Sequence, residues 1–290
     1  MKPFLTADKP VLFVSFSGGR TSGYMCKWLL DNMSHKYTLI FVFMNTGQEH
    51  ESTLEFVNQC DIEFGLNLIW IEAVTQHGVL RGATYRIVNF DNTSRHAEPF
   101  EDMIIKYGIP NKSWPHCNRE LKLNPFKQLK RDLGLRKSLT AVGIRADEID
   151  RMSVKAEKEF VMYPLIKWHP TTKEDVISWW KGQSFDLNLP EHLGNCVTCW
   201  KKSKRKLQTI ALQEPERFWF NAMCESKYKY NGHGDESRVF FRENRSTADI
   251  FNESREDFKL FTDPNYEYSP DMDDANGCND GSCDVFTEDN

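Results

Sequence analysis

The sequence predicts an α/β protein built on a doubly wound, mostly parallel sheet. Short apolar runs rich in β-branched and aromatic residues recur through the first 165 residues, and helical patterns separate them. This alternation of strands and helices implies parallel strands joined by right-handed crossovers. The cysteine-bearing remainder is mainly helical in pattern, so we expect the sheet to carry a helical C-terminal part.

The first strand and the loop after it form the most informative stretch of the chain. Residues 11–14 are apolar and bulky or β-branched, as in a buried parallel strand. Gly18 and Gly19 then allow a tight turn and a close approach of the backbone to a ligand. The helix that follows would present its amides and the positive end of its dipole to a phosphate or sulfate. The alternative is a tight turn that binds nothing. The expected nucleotide contacts in this stretch are Ser15, Ser17, Gly18, Gly19, Arg20, Thr21 and Ser22.

The other predicted elements follow in chain order. Four further apolar runs are short enough for strands, at residues 37–43, 66–71, 138–142 and 161–165. Residues 75–115 show no sustained period, which favours a long loop with short helices. Helical patterns cover residues 51–60, 118–133 with an early break at Pro125, and 172–180 with Thr172 as the N-cap.

Composition is ordinary for a globular protein, with 290 residues of which 40% are hydrophobic and 27% charged. No apolar run is long enough to span a membrane and the N-terminus lacks a signal-peptide core, so we expect a cytoplasmic protein with no membrane partner. The eight cysteines are then expected as thiols, metal ligands or redox groups. The predicted parts are a nucleotide-binding α/β domain (1–165), a helical part with a C-x-x-C site (166–261) and an acidic, disordered tail (262–290).

Three cysteines have the spacing of a metal or cluster site. Cys196 and Cys199 form a C-x-x-C pair, and Cys117 lies well before it in the chain. Two thiolates at this spacing reach one metal or cluster, and a distant third can close the site in three dimensions. A structural zinc site of these cysteines with His116 is the main alternative. The fourth ligand stays open between His116, Cys224, a tail cysteine and an exogenous group.

A compact basic run follows the C-x-x-C pair, although the net charge of the chain is −5. Such a run either grips nucleotide phosphates or a nucleic-acid backbone, or forms only a solvated helix face. Its members are Lys201, Lys202, Lys204, Arg205 and Lys206.

The loop at residues 17–22 resembles the PP-loop of the adenine nucleotide α-hydrolase-like superfamily, written SGGxDS. Further segments, in the same order, resemble the phosphoadenosine phosphosulfate (PAPS) reductase family of that superfamily. They are residues 45–49 with Thr53, 143–145, 163–165 with Trp168, and 174–180. Thr21 stands where the ATP-cleaving members carry Asp, which argues against magnesium-assisted ATP cleavage.

The resemblance spans roughly residues 11–210 and extends the expected nucleotide site. Arg145 lies in the segment that resembles the family's arginine-bearing loop, where it would contact a phosphate or sulfate bidentately. The alternative for this residue is a surface salt bridge. The end of the second strand also lies where open α/β sheets bind ligands. The residues added to the nucleotide site are Asn45, Thr46, Gly47, Gly143 and Arg145.

The resemblance also implies an iron–sulfur cluster. Some PAPS and adenylyl-sulfate (APS) reductases carry a [4Fe–4S] cluster on a paired Cys-Cys and a later C-x-x-C. This chain has His116-Cys117 in place of the pair. The expected cofactors are therefore an adenine nucleotide and a [4Fe–4S] cluster, with zinc as the alternative. The candidate metal ligands are Cys117, Cys196, Cys199 and His116.

Reductases of this family need a mobile C-terminal cysteine, usually in a Glu-Cys-Gly-Leu-His motif that this chain lacks. Cys278 and Cys283 in the acidic tail are the candidates to replace it as catalytic thiols. The alternative is a tail without a catalytic part. Removal of the residues after Tyr268 is expected to leave the fold intact, because the tail is acidic and poor in core-forming residues.

Three functions follow as hypotheses. The first is a PAPS-reductase-family enzyme that binds PAPS or APS and carries out reductive sulfur chemistry. The second is ATP-dependent transfer of sulfur to a nucleic acid or another acceptor, and the third is a nucleotide-binding protein without turnover. The expected partners are a small adenine nucleotide, a thiol electron donor such as thioredoxin, a nucleic-acid acceptor and a second copy of the chain.

Overall fold

The computed structural model describes residues 9–78, 80–232 and 236–273, and a six-stranded sheet lies at its centre. Its strands are β1 (Val11–Phe16), β2 (Thr38–Asn45), β3 (Ile69–Val74), β4 (Thr84–Val88), β5 (Leu139–Val142) and β6 (Val161–Met162). Across the sheet they follow the order β4-β3-β2-β1-β5-β6. Only β3 and β4 pair antiparallel, so the sheet is mostly parallel, as predicted.

Helices cover both faces of this sheet and form most of the C-terminal part. Those of the sheet region are α1 (Arg20–Met33), α2 (Glu51–Phe64), α3 (Glu98–Tyr107), α4 (His116–Asn118), α5 (Asn124–Asp132) and α6 (Pro164–Lys167). Those that follow are α7 (Lys173–Lys181), α8 (Lys204–Gln213), α9 (Trp219–Tyr228), α10 (Thr247–Glu253) and α11 (Pro270–Asp273). The structure thus has the predicted helical C-terminal part.

Alternating residues of the buried strands divide the core into two layers. Leu12 and Val14 of β1 pack with α1, α2 and α7, whereas Phe13 packs on the opposite face with Phe126 and Leu129 of α5. Because both faces are covered, the strands are apolar throughout, as parallel strands in α/β proteins are. β1 is central, and the chain turns to one side for β2 and to the other for β5. The loops after β1 and β5 therefore meet at the switch point where open sheets bind ligands.

Three elements differ from the sequence prediction. The strand predicted over residues 161–165 ends at Met162, because α6 begins at Pro164. β4 lies inside residues 75–115, which were expected to form a loop with short helices, and its half-exposed edge position explains the weak apolar signal. The helix predicted over 118–133 does not break at Pro125. A π-helical turn, Arg119–Leu123, leads directly into α5, and Pro125 lies in the first turn of that helix, where its missing N–H is tolerated.

Candidate functional site

A cleft opens at the switch point of the sheet. It encloses about 760 Å³ of space, a figure that includes open solvent at its mouth. The loops after β1 and β5 form one wall, and α7 with residues 187–195 forms the other. The lining residues are Gly18, Gly19, Arg20, Thr21, Thr53, Arg145, Lys173, Val176, Ile177, Leu187, Leu189, Pro190, Glu191, Gly194 and Asn195.

Arg145 joins the two loops at the base of the cleft. Its Nη1 donates to Thr21 Oγ1 at 3.1 Å, and its Nε and Nη2 reach the two carboxylate oxygens of Asp147 at 3.0 and 3.1 Å. Burial alone would raise the pKa of Asp147, but its bonds to the Arg145 guanidinium hold that pKa below its usual range. The structure thus contains the salt bridge considered from sequence, but the Arg145 side chain is almost fully buried and Glu148 lies 3.5 Å from its Nη1.

The N-terminus of α1 faces the cleft through the glycine pair. Gly18 has a φ of +84°, and a Cβ there would lie 2.6 Å from Thr53 Cγ2, so the turn requires glycine. Gly19 occupies the N-cap position, and no side chain in the described ranges caps the helix. The first-turn amides and the helix dipole are therefore directed at the space where an anion would lie.

Other predicted loop residues support the loop from inside. Ser22 Oγ donates to the Gly19 carbonyl at 2.9 Å and lies 2.9 Å from Ser17 Oγ, while Ser15 is buried in β1. A Cβ at Gly143 would lie 3.2 Å from Ser22 Cα, so this glycine lets β5 approach α1 closely. Direct nucleotide contacts from these four residues stay a prediction, because their positions are explained by the loop itself.

The end of β2 takes part in a different network. Asn45 is fully buried, and its Nδ2 lies 2.7 Å from Glu72 Oε1 and 2.8 Å from Thr93 Oγ1. Glu72 also accepts from the Ser94 amide at 2.5 Å, which holds residues 93–97 against the strand end. A Cβ at Gly47 would lie 2.9 Å from Ala97 Cα. Asn45 and Gly47 thus shape the strand end, and neither lines the cleft among the residues described.

Thr46 instead points to a second pocket, which we call the cysteine cavity. Cys117, Cys196 and Cys199 all line it, so the structure brings together the three predicted cysteine ligands from distant parts of the chain. All three side chains are half-buried. The remaining lining residues are Thr46, Gln48, Phe100, Asn118, Leu121, Lys122, Thr198, Trp200, Lys201, Phe220, Asn221 and Phe240.

The cysteine cavity is held to the end of β2 by short contacts. Thr46 Oγ1 lies 3.4 Å from Cys196 Sγ and donates to the Glu49 carboxylate at 2.8 Å. The Val197 amide donates to the Gln48 carbonyl at 3.1 Å. The C-x-x-C turn itself is closed by the Cys199 amide, which donates to the Cys196 carbonyl at 3.1 Å. This arrangement fixes both thiols of the pair beside the second strand.

The two described candidates for the fourth ligand, His116 and Cys224, do not line the cysteine cavity. His116 Nε2 lies 3.1 Å from the Gly108 carbonyl oxygen, and burial lowers the pKa of this histidine to about 4. Its ring is not among the side chains that line the cysteine cavity in the described chain. Cys224 is buried in α9, where burial raises its pKa to about 12. Cys278 and Cys283 lie outside the described residues.

The basic run is not a solvated helix face, because most of it is buried. Lys206 Nζ pairs with Glu191 at 2.7 Å, and Lys202 Nζ donates to the Gly194 carbonyl at 2.8 Å. Arg205 pairs with Asp273 of α11 at 2.6 Å. These charges hold residues 191–194 and the C-terminal helices in place, since each has a partner inside the fold. The run therefore offers little free charge to a nucleic acid.

Residues 190–195 complete the cleft and were missed from sequence. They form no strand and only a short 3₁₀ turn, Glu191–Leu193, so no periodic pattern marks them. Lys173, at the start of α7, also lines the cleft and lies 3.3 Å from Glu191. The one sequence feature that could have pointed to this segment is its location directly before Cys196. Aromatic residues of the cysteine cavity were missed for the same reason, since Phe100 and Phe220 join it only in the fold.

None of the helices in residues 9–78, 80–232 and 236–273 is both long and apolar enough to cross a membrane. A sequence profile described as the phosphoadenosine phosphosulfate reductase domain matches residues 11–189. A relative in Escherichia phage lambda, described as an uncharacterized nin region protein, is 34% identical over 244 residues, which cover 81% of this chain and 82% of the relative.

Two uncharacterized proteins of Methanocaldococcus jannaschii are also similar, at 26% and 27% identity over 176 and 168 residues. These alignments cover 57% and 55% of this chain. They cover 34% and 29% of the relatives, so the chain spans about a third of the length of these two proteins.

Proposed function

The chain belongs to the phosphoadenosine phosphosulfate reductase family, and we propose that it binds PAPS or a related adenine nucleotide and carries out reductive sulfur chemistry on it. One observation carries this proposal. Residues 190–200 line the cleft with Glu191, Gly194 and Asn195 and continue directly into the cysteine cavity with Cys196 and Cys199. A nucleotide in the cleft and a group on the cysteines would therefore be neighbours. In this proposal residues 1–165 supply the glycine loop and Arg145 of the nucleotide site, and residues 166–261 supply its other wall and the C-x-x-C pair.

The N-terminus of α1 supports a nucleotide that carries phosphate or sulfate groups, because its first-turn amides face the cleft. Arg20, Arg145 and Lys173 also line the cleft, and each is ion-paired with a carboxylate of the protein, so a bound anion would share these cations with those carboxylates. Thr21 adds a hydroxyl at the position where ATP-cleaving relatives carry a carboxylate, and it already accepts from Arg145. This favours an anion held by arginine and backbone amides over a magnesium–ATP complex.

For the cofactor we favour an iron–sulfur cluster over a single zinc ion, because the C-x-x-C pair resembles the one that carries a [4Fe–4S] cluster in some members of the family. Three thiols share the cysteine cavity, although within the described residues no three His, Cys, Asp or Glu side chains converge closely enough for one ion. Cys117, Cys196 and Cys199 would hold the cluster. When bound, a [4Fe–4S] cluster supplies one-electron chemistry beside the nucleotide.

In the proposed reaction, the thiolate of Cys278 or Cys283 attacks the sulfur of the bound sulfonucleotide. A sulfur–sulfur bond forms, and the bond from that sulfur to the nucleotide phosphate oxygen breaks, so the nucleotide leaves with the electron pair. The second tail thiol then attacks the cysteine sulfur and releases sulfite. The two thiols are oxidised to a disulfide and their two electrons reduce the sulfonate sulfur to sulfite, so the electrons of one turnover balance. A thiol donor such as thioredoxin would reduce the disulfide.

The test is anaerobic incubation of the full chain with PAPS, APS or ATP. We expect one sulfite per chain from PAPS or APS without added reductant, together with the loss of two thiols. Iron and sulfide analysis of the same sample is expected to give a cluster. Colourless protein with one zinc per chain would contradict the cofactor, and nucleotide binding without sulfite release would contradict the reaction and leave a non-catalytic binding protein.

A matched pair of variants tests the cleft itself. Lys173→Gln removes a cation that lines the cleft, whereas Lys181→Gln removes an exposed lysine at the other end of α7. We expect Lys173→Gln to weaken PAPS binding about tenfold, the equivalent of one charge-assisted hydrogen bond. Lys181→Gln should bind as the unmodified chain does in the same calorimetric titration. Equal affinities for all three proteins would exclude this cleft as the nucleotide site.

ATP-dependent sulfur transfer is the second candidate, and one observation favours it. His116 does not line the cysteine cavity, so a cluster on the three cysteines would have one coordination position without a described protein ligand. An iron with an open position can take an additional sulfur for transfer. Release of pyrophosphate or phosphate from ATP, with no sulfite from PAPS, would favour this candidate. The paired and buried basic run gives no support for a nucleic-acid acceptor.

A further inference from the structure

Trp200 carries a buried hydrogen-bond donor without a partner. The side chain lines the cysteine cavity next to Cys199 and is about 5% exposed. Its Nε1 has no acceptor among the described residues, and the atom is fully shielded from the surface. The Lys201 ammonium lies 5.3 Å from the centre of the indole ring, which stabilises the ring in this orientation. The ring is thus held beside the cavity, with Cys199 as its neighbour in the chain.

The side chains around Trp200 do not supply an acceptor for its indole N–H. Much of the surrounding wall is aromatic, with Phe100, Phe220 and Phe240. The Thr198 hydroxyl donates to Asn221 at 2.6 Å, and the Thr46 hydroxyl is bonded to Glu49. A buried donor left unsatisfied costs about 1–3 kcal/mol. The Trp200 N–H is therefore an unused donor in a residue that lines the same cavity as the three cysteines.

We infer that the Trp200 indole N–H donates a hydrogen bond to a sulfur atom of the group held by Cys117, Cys196 and Cys199. The acceptor is a cysteine thiolate in its ligating position or a sulfide of that group. This inference rests on the proposed function in taking the three cysteines as ligands. Trp200 could not be identified from the spacing of the cysteines. In this inference its acceptor is in place only when the group is bound.

Such a hydrogen bond has a measurable consequence. An N–H directed at sulfur stabilises the more negatively charged state of a cluster, and hydrogen bonds to sulfur are among the factors that set its reduction potential. Removal of the donor therefore makes reduction less favourable. We expect the equilibrium constant for one-electron reduction to fall by a factor of three to ten in Trp200→Phe, where tenfold corresponds to about 59 mV.

The experiment compares the unmodified chain, Trp200→Phe and Trp219→Phe, each purified without oxygen. Trp200→Phe keeps an aromatic ring but removes the N–H, and Trp219 is a largely exposed tryptophan that serves as the control. Iron and sulfide content, thermal unfolding and a redox titration followed by visible absorbance are measured. The expected result is unchanged cluster content with a lower potential only in Trp200→Phe. Equal potentials would overturn the inference and indicate that an ordered water satisfies the indole.

The outcome also separates this inference from the proposed cofactor. If the unmodified chain contains no iron or sulfide, the cluster proposal fails, and the donor is tested by Zn²⁺ titration against a coloured chelator. Trp200→Phe should then bind Zn²⁺ three- to tenfold more weakly, and equal affinities would overturn the inference.

If Trp200→Phe does not fold, indole hydrogen exchange is followed in the unmodified chain, which has eight tryptophans. One buried indole N–H is expected to exchange at least tenfold more slowly when the group is bound, and unchanged rates would overturn the inference.

Discussion

Gly47 is a glycine whose position is explained by packing rather than by a ligand. Its φ is +79°, and a Cβ there would lie 2.7 Å from Ser94 Oγ and 2.9 Å from Ala97 Cα. The Ala97 amide donates to the Gly47 carbonyl at 3.1 Å, so the two backbones touch. From sequence this residue was assigned to the nucleotide site because it follows a parallel strand. The position at the strand end was predictable, but the neighbour that fills the space was not.

We predict that Gly47→Ala destabilises the fold more than Gly65→Ala. Gly65 ends α2 with a φ of +65°, and nothing lies within 4 Å of a Cβ built there. Gly65→Ala should therefore lower the free energy of unfolding only by the cost of the left-handed conformation, about 1–2 kcal/mol. Gly47→Ala adds a clash with backbone and should cost about 1–3 kcal/mol more. Denaturant unfolding measures both, and equal losses would show that the loop at Ala97 gives way.

Some candidate site residues could be placed from the order of the strands, whereas the placement of others depends on partners that are distant in the sequence. Gly18, Thr21 and Arg145 follow two adjacent parallel strands, so strand order alone brings them to one edge. Asn45 has the same kind of position, yet it turns inward because Glu72 and Thr93 supply its partners. Those partners lie 27 and 48 positions away, and no pattern near Asn45 in the sequence indicates them.

At the scale of whole elements, buried strands were recognised and the edge strand was not. β1 and β2 are apolar on both faces, which makes their runs continuous. β4 has no buried residue, since Arg86 and Ile87 are exposed and its other three residues are partly buried, and Arg86 pairs with the buried Glu72 at 2.7 Å. A short sequence of mixed polar and apolar residues cannot be distinguished from a loop by its hydrophobic periodicity alone. The partner that makes it a strand, β3, is visible only in the fold.

α5 is attached to the sheet by a buried lysine, which makes stability depend on pH. Lys130 Nζ donates to the Ser138 carbonyl at 2.6 Å and lies over Phe13 and Phe126. Burial lowers the pKa of Lys130 to about 8 from its ordinary value of 10.5. Between these two pH values the unfolded chain binds more protons than the folded chain at this site. The free energy of unfolding therefore rises with pH across this window and falls as pH drops toward 8.

We predict that Lys130→Met removes this rise. The free energy of unfolding, measured in denaturant from pH 7.5 to 10, should increase less steeply in Lys130→Met than in the unmodified chain. Lys127→Met, an exposed position on the same helix, is the control and should keep the original slope. Because all other groups are shared, the difference between the curves reports Lys130 alone. Parallel curves for all three proteins would mean that the lysine keeps its ordinary pKa in the fold.

At the scale of the whole molecule, the sequence pointed to residues that line the cleft and the cysteine cavity, but not to the connection between the two. The cysteine cavity joins Thr46, Cys117 and Cys196, which belong to three separate segments. Residues 190–195 connect it to the cleft, and buried pairs such as Lys206 with Glu191 hold them there. A run of lysines is usually solvated, so its use as internal support could not be predicted from composition. The carboxylates that neutralise it are distant in sequence.

The C-terminal segment changes the expected effect of truncation. Sequence composition predicts that residues after Tyr268 can be removed without harm. In the structure, Asp273 of α11 pairs with Arg205 at 2.6 Å, and both side chains are more than nine-tenths buried. Arg205 also stacks over the Tyr266 ring at 4.7 Å. A cut after Tyr268 would leave a buried guanidinium without its carboxylate, whereas a cut after Asp273 removes none of the contacts described here.

We predict that the chain ending at Asp273 unfolds with the free energy of the full chain, while the chain ending at Tyr268 is less stable by roughly 2–4 kcal/mol. Asp273→Asn in the full chain should reproduce most of that loss, which assigns it to the ion pair. Both truncated chains lack Cys278 and Cys283, so neither should release sulfite from PAPS. The chain ending at Asp273 should still bind the nucleotide, because the cleft lies within residues 18–195. Sulfite release by this stable truncated chain at the full rate would exclude the tail cysteines as nucleophiles.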